Sequence, residues 1–252
     1  MAGFLTGKKI VVMGVANPRS IAWGCAQAMA DQGATVILTY QNARIKKSLE
    51  RFVPEGFPLV ECDVAEDEKV EQAFQEIGRQ FTKIDGVLHA IAFADKDTLQ
   101  NGLVHTTQAG YDLAQNISAY SFISVARYAQ PILNNPAGLV TLTYFGSERA
   151  IPNYNMMGVA KASLEASVRY LASDLGDDHI RVNAISAGAV KTLAVSGIKH
   201  HNELLKLSQE NTVDGQSVTT EEIGNVAAFL MSDLATGITG DVIYVDKGVH
   251  LM

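Results

Sequence analysis

Apolar and polar positions along the chain follow two alternating periods. Short β-branched runs at Ile10 to Met13, Thr35 to Tyr40, Leu59 to Cys62, Gly86 to Ala92, Leu139 to Thr143, Ile180 to Ile185 and Val242 to Val245 read as seven buried strands. Between them lie longer stretches with apolar residues three and four apart, about Ser20 to Asp31, Asp67 to Phe81, Gly110 to Leu133, Tyr154 to Leu175 and Thr220 to Met231, which read as helices. A strand followed by a helix and another strand returns to the same sheet edge in the same direction, so the pattern predicts a parallel sheet covered on both faces. Residues 189–211 break the alternation, and a long stretch of weak periodicity between strand and helix predicts a mobile lid.

The expected fold is therefore α/β, a Rossmann-type doubly wound, seven-stranded parallel sheet. No linker-like or low-complexity segment interrupts it, so residues 1–252 are expected to form a single domain. Hydrophobic residues make up 47% and charged residues 19%, a balance that buries a core rather than leaving the chain disordered. The formal charge of −7 argues against nucleic acid or an anionic membrane as partner, since both select clustered Lys and Arg. Cys25 and Cys62 sit far apart in apolar runs, which suggests neither a disulfide framework nor a zinc pattern. The adjacent pair His200-His201 diverges on a helix and has no suitably spaced carboxylate, so no metal site is expected. With no run of eighteen apolar residues and no signal-like start, the expectation is a cytoplasmic protein without a membrane partner.

The first strand ends at Gly14, and the next helix starts near Ser20-Ile21. A glycine permits a tight turn, Ser20 can cap the helix, and the free N–H groups of the helix can face a pyrophosphate. The G-x-G-x-x-G spacing is absent, so the residues alone fit a plain strand-to-helix turn equally well. Gln41 follows the second strand, where dinucleotide folds address the adenosine ribose; it is neutral, whereas Arg44, Lys46 and Lys47 beyond it could attract a 2′-phosphate. A solvated helix face is the favoured reading of those three, so NADH is expected ahead of NADPH. Cys62-Asp63-Val64 ends the third strand and Ala90 to Ala94 the fourth; Asp63 reads either as an acceptor for the adenine amino group or as a local cap.

Tyr154 and Lys161 stand seven residues apart, about two helical turns, which would put a phenol and an ammonium on one face. A cation near a phenol favours its ionised form and strengthens it as a donor. Taken alone, such a pair is more often amphipathic packing.

The surrounding blocks go further. Val12 to Asn17, Ser20 to Gly24, Ser121-Phe122, Glu148 to Asn155 and Arg181 to Gly188 resemble the enoyl-acyl carrier protein reductases of bacterial fatty-acid synthesis, a divergent short-chain dehydrogenase/reductase branch. The resemblance covers about residues 3 to 250; its specific mark is the seven-residue Tyr–Lys spacing preceded by Tyr144, where ordinary relatives space Tyr and Lys by four. It implies NADH-dependent reduction of an enoyl thioester carried on acyl carrier protein, and a homotetramer. It implies cofactor contacts at Gly14, Ser20, Ile21, Gln41, Asp63, Val64, Ile91, Lys161 and Val190, Lys191, Thr192, Leu193 and Ala194. Tyr154 then faces the substrate carbonyl, Tyr144 is a second active-site tyrosine, Ala94 touches substrate, and the 189–211 stretch becomes a substrate lid.

The chain departs from that pattern at Ala189 in place of proline, at Asn211 to Gln216 without Pro-x-x-Arg, and at Lys247 in place of a small residue. Losing the proline loosens the local backbone and losing the arginine removes a charge contact, so these departures bear on lid stability and acyl-carrier docking more than on the hydride chemistry. The competing readings are a 3-oxoacyl or ketone reductase of the same superfamily, which the spacing disfavours, and a noncatalytic nucleotide-binding scaffold, which retention of Tyr154 and Lys161 disfavours.

Overall fold

In the computed structural model, which describes residues 3–192 and 201–252, the described strands are β1 (Lys9–Met13), β2 (Thr35–Tyr40), β3 (Leu59–Glu61), β4 (Ile84–His89), β5 (Leu133–Thr143), β6 (Ile180–Ala187) and β7 (Val242–Val245). They pair in parallel in the order β3-β2-β1-β4-β5-β6-β7. Helices α1 (Ile21–Asp31), α2 (Ala43–Leu49), α3 (Asp67–Phe81), α4 (Lys96–Gln100), α5 (Gln108–Gln115), α6 (Ser121–Ala129), α7 (Asn155–Asp174), α8 (His201–Glu210) and α9 (Thr220–Met231) connect them. This is the doubly wound parallel sheet expected from the alternation.

The period of two along β1 divides the core. Val11 and Met13 pack with Val70 and Phe74 of α3, Phe122 of α6 and Leu164 of α7, while Ile10 and Val12 face Cys25 and Met29 of α1 and Ile223 and Ala227 of α9. All four β1 residues are fully buried, each contributing roughly 1.5–3 kcal/mol of transfer free energy. Both faces being covered, the central strands read as continuous apolar runs. Helix α1 starts where Ser20 Oγ accepts from the Trp23 amide, and α9 where Thr219 and Glu222 form a reciprocal capping box.

Several boundaries differ from the sequence reading. The helix expected over Gly110 to Leu133 is three pieces: α5, a π-helical turn over Asn116–Tyr120, and α6, which stops at Ala129. Pro131 supplies no amide and its ring clashes with the preceding turn, so the chain passes through a short 3₁₀ turn into β5, which begins at Leu133 rather than Leu139. Strand β4 starts two residues earlier than expected and ends at His89; Ala90 makes a last ladder bond to Met13, and Ile91 to Ala94 leave the sheet. Helix α4 and the helix α8 inside the expected lid were not foreseen. Residues 193–200 of that stretch lie outside the described residues.

Candidate active site

Strands added after β1 grow the sheet in one direction and those from β4 onward in the other. A cavity of about 720 Å³ opens at the carboxyl edge of this reversal, where an open α/β sheet binds its ligand. Gly14 closes one wall: its φ is +94°, and a Cβ there would stand 2.1 Å from the Ala90 carbonyl oxygen, so no other residue fits between β1 and β4. The lining runs from Gln41, Asp63 and Val64 beyond β2 and β3, past Ser20 and Ile21 at the start of α1, to Ile91, Ala94, Tyr144, Tyr154, Lys161, Val190 and Thr192. Lys191 is exposed and is not among the residues lining the cavity, whereas its neighbours Val190 and Thr192 are. Leu193 and Ala194 lie outside the described residues.

At the β2–β3 end, Gln41 Nε2 donates to Asp63 Oδ2 at 3.1 Å, and Asp63 Oδ1 accepts from the Ala65 amide at 3.1 Å. Asp63 therefore caps its own turn while still lining the cavity. Arg44 and Lys47 are exposed, and Lys46 lies 5.6 Å from the centre of the Tyr40 ring; none of the three lines the cavity. Burial pushes the Cys62 thiol up to about 12, with the Asp63 charge adding to it, and burial alone does the same to Cys25, so both are inert thiols.

At the opposite end, three consecutive residues of β5 and its exit engage the start of α7. The Leu142 carbonyl accepts from Lys161 Nζ at 2.7 Å, Thr143 Oγ1 donates to Glu165 Oε1 at 2.5 Å, and the Tyr144 ring meets the Tyr154 ring edge-on with centroids 5.0 Å apart. Tyr154 does not lie inside the helix, as the two-turn reading required. Helix α7 begins at Asn155, and Asn153 and Asn155 have φ of 64° and 38°, a bend that sets the phenol on the cavity wall just ahead of the first turn. Asn155 Nδ2 also donates to the carbonyls of Leu99 and Asn101 and so holds α4 against the site.

The expectation that Lys161 draws Tyr154 toward its ionised form is not met. Burial, then the nearby Tyr144 and Glu165, push the Tyr154 phenol far above its ordinary value, and burial with Asp246 pushes Tyr144 up to about 12. Both phenols are protonated donors. Burial lowers Lys161 to about 8, opposed by the charge of Glu165.

Four contributors escaped the sequence reading. A Cβ on Gly146 would lie 2.6 Å from Tyr154 Cδ1 and 3.0 Å from Tyr144 Cδ1, so this glycine seats both rings; its place in the chain between the two tyrosines was the only signal. Ser118, on the π-helical turn, donates to the Phe93 carbonyl at 2.8 Å and accepts the Phe93 amide at 2.9 Å, fixing the strip that carries Ala94. His89, fully buried, bonds Thr141 and Ser121 through its two ring nitrogens; burial, and then the Lys161 charge, hold its pKa near 3, so it is neutral. Glu165, buried behind Lys161, had no pattern to mark it.

The segment where the chain departs from the family pattern carries a charge contact that the sequence reading did not foresee. Lys247, with φ of 54°, places Nζ 3.2 Å from Asp214 and 3.2 Å from Glu222, and its carbonyl accepts the Val213 amide, so the segment after α8 is tied to the start of α9 and the end of β7. Among the described residues no three His, Cys, Asp or Glu side chains gather to hold a metal; His200 and the side chain of His201 lie outside them. No helix among the described residues is long and apolar enough to cross a membrane.

Comparison with known proteins gives a consistent result. A family model described as enoyl-(acyl carrier protein) reductase matches residues 14–250. The chain is 59% identical to the enoyl-[acyl-carrier-protein] reductase [NADH] of Enterococcus faecalis over 98% of its own length and 99% of the relative's. It is 49% identical to the Escherichia coli enzyme of the same name, over 99% of the chain and 96% of the relative. Among solved structures, the Anaplasma phagocytophilum enoyl-(acyl-carrier-protein) reductase in complex with NAD superposes with a TM-score of 0.96 at 42% identity, covering 100% of this chain and 97% of that one. The Bacillus cereus enzyme with NADP+ and indole naphthyridinone gives 0.95 at 46% identity, covering 99% of each.

Proposed function

The chain belongs to the enoyl-(acyl carrier protein) reductase family, and from that premise we propose that it uses NADH to reduce trans-2-enoyl-acyl carrier protein to the saturated acyl thioester, the last reductive step of fatty-acid chain elongation. The observation that carries the reading is the wall formed by Tyr144, Tyr154 and Lys161 at the β5 end of a cavity that spans the sheet reversal.

The cavity suits a dinucleotide. Its volume lies within the roughly 300–1,000 Å³ of cofactor and ligand sites, the first turn of α1 borders it, and Gly14 keeps the β1 turn free of a side chain. In this reading Gly14, Ser20 and Ile21 hold the pyrophosphate, Gln41, Asp63 and Val64 the adenosine, and Ile91, Val190 and Thr192 the nicotinamide end. Gln41 brings no cation, and the basic residues of α2 stay outside the cavity, which favours NADH over NADPH.

NADH supplies the hydride that adds to the β-carbon of the enoyl thioester. Negative charge then gathers on the thioester oxygen, and Tyr154, a phenol kept protonated by burial, donates a hydrogen bond to it. A fixed donor aimed at such charge lowers the barrier by about 3 kcal/mol. Lys161 spends one N–H on Leu142 and has two left for ribose hydroxyls. Tyr144, packed edge-on against Tyr154, shapes the acyl pocket with Ala94. The proton that completes the α-carbon comes from Tyr154 or from water.

Residues 189–211 serve in this reading as the substrate lid, with α8 as its helical part and the Lys247 ion pairs as its anchor. The enzyme works as a cytoplasmic homotetramer that receives its substrate on acyl carrier protein. Following NADH absorbance with a trans-2-enoyl thioester and with a 3-oxoacyl thioester tests the assignment: turnover of the first and little of the second is the expected outcome, and the reverse preference overturns it.

A further inference from the structure

A second charged side chain, with no part in the hydride step, is buried behind the cavity. Glu165 is only 6% exposed and lies one helical turn after Lys161 on the same face of α7. Its Oε1 is held by the Thr143 hydroxyl, one residue beyond the carbonyl that holds Lys161. A buried carboxylate costs several kcal/mol in desolvation unless an opposite charge offsets it. Its charge acts directly on Lys161, Tyr154 and Tyr244, and around these stand the Tyr144 phenol at the exit of β5, His89 on β4, Glu148 bonded to Tyr244, and Asp246 with His250, whose ring stacks on Tyr244. Both cavity tyrosines are protonated, so of the groups on which Glu165 acts directly Lys161 is the cation.

We propose that Glu165 is a positioning residue whose pinned carboxylate keeps Lys161 an ammonium while the cofactor site is dry. The inference rests on the assignment of Lys161 to the nicotinamide ribose. An ammonium with two free N–H groups is a donor to both ribose hydroxyls, whereas the neutral amine brings a lone pair toward them. Excluding water from the cavity removes the solvation of that charge, and the site then depends on a counter-charge that cannot move away. The Thr143 hydrogen bond fixes the carboxylate on the strand that also carries the Lys161 acceptor, so one strand end sets the distance between the two charges.

NADH affinity measured by fluorescence from about pH 6 to about pH 10 separates the possibilities. In the wild type, affinity is flat on the acid side and falls about tenfold per unit above a midpoint of about 8. Glu165→Gln keeps the acid-side affinity and moves the midpoint about one unit lower, the low end of what an opposite charge contributes. Glu165→Asp, which retains the charge, restores most of the wild-type profile. A wild type with no alkaline limb removes Lys161 from the ribose and takes this inference with it. A limb that is present in the wild type and unmoved in Glu165→Gln overturns the Glu165 role alone. If Glu165→Gln does not fold, Lys161→Met/Glu165→Gln decides. Recovery of the folded state in the double variant supports charge coupling, and equal failure of both overturns it.

Discussion

Gly146→Ala perturbs the site without adding or removing a functional group. The new methyl would stand 2.6 Å and 2.9 Å from two carbons of the Tyr154 ring and 3.0 Å from Tyr144. Carbon atoms in contact settle at about 3.5–4.0 Å, so one or both rings must move by about 1 Å. Gly146 itself has little room to retreat, because its carbonyl oxygen already lies 2.7 Å from where a Cβ on Gly158 would sit. A misplacement of about 1 Å in a catalytic group costs up to roughly 100-fold in rate. Gly146 does not itself line the cavity, and the rings it seats are assigned to the substrate and not to the dinucleotide, so NADH binding is expected to change little. Steady-state kinetics with a trans-2-enoyl thioester should therefore show kcat down by about 10- to 100-fold, with the dissociation constant for NADH within a factor of about two of the wild type. A kcat within about threefold of the wild type refutes the claim that this glycine seats the tyrosine pair.

Three further expectations follow from the same geometry. Tyr154→Phe removes the donor to the thioester oxygen and should lower kcat by on the order of 100-fold with NADH affinity kept; unchanged turnover removes Tyr154 from the mechanism. Lys247→Gln breaks the ion pairs to Asp214 and Glu222 while keeping most of the side-chain length, so the unfolding midpoint should fall by roughly a degree or two at low salt, with the difference gone near 1 M salt; equal stability at low salt refutes the anchor. Lys161 is held at about 8 in the folded protein against 10.5 ordinarily, so between those values the unfolded chain binds more protons and apo stability rises with pH. Denaturant unfolding of wild type and Lys161→Met should show the gap closing in favour of the wild type across that window, and a gap that does not change with pH contradicts the burial argument.

The sheet was legible because buried parallel strands must be continuous apolar runs and amphipathic helices must separate them; β2 and β7 appear at the residues the pattern assigned, and β1 starts one residue earlier. The cavity wall was legible through Gly14, Ser20 and Gln41: a turn dictates the first, a helix cap the second, and the third follows the end of β2. The break of the Gly110 to Leu133 helix was missed because hydrophobic period does not distinguish an α-helix from one containing a π-helical turn; Pro131 did mark where it had to end. Glu165 and His89 were invisible for a different reason. Their roles depend on side chains 22 and 52 residues away, Thr143 and Thr141, which only the folded sheet brings near. Lys161 was found by its spacing, but its lowered pKa and the raised value of Tyr154 come from burial, and the sequence alone does not report burial at that level.

The central claim is that this site delivers hydride to a carbon–carbon double bond and not to a carbonyl. NADH deuterated at the transferred C4 position, incubated with the enzyme and equal amounts of trans-2-enoyl and 3-oxoacyl thioesters, tests it most directly by mass spectrometry of the products. The predicted result is one deuterium on the β-carbon of the saturated acyl thioester. Deuterium on the carbinol carbon of a 3-hydroxyacyl product would contradict it.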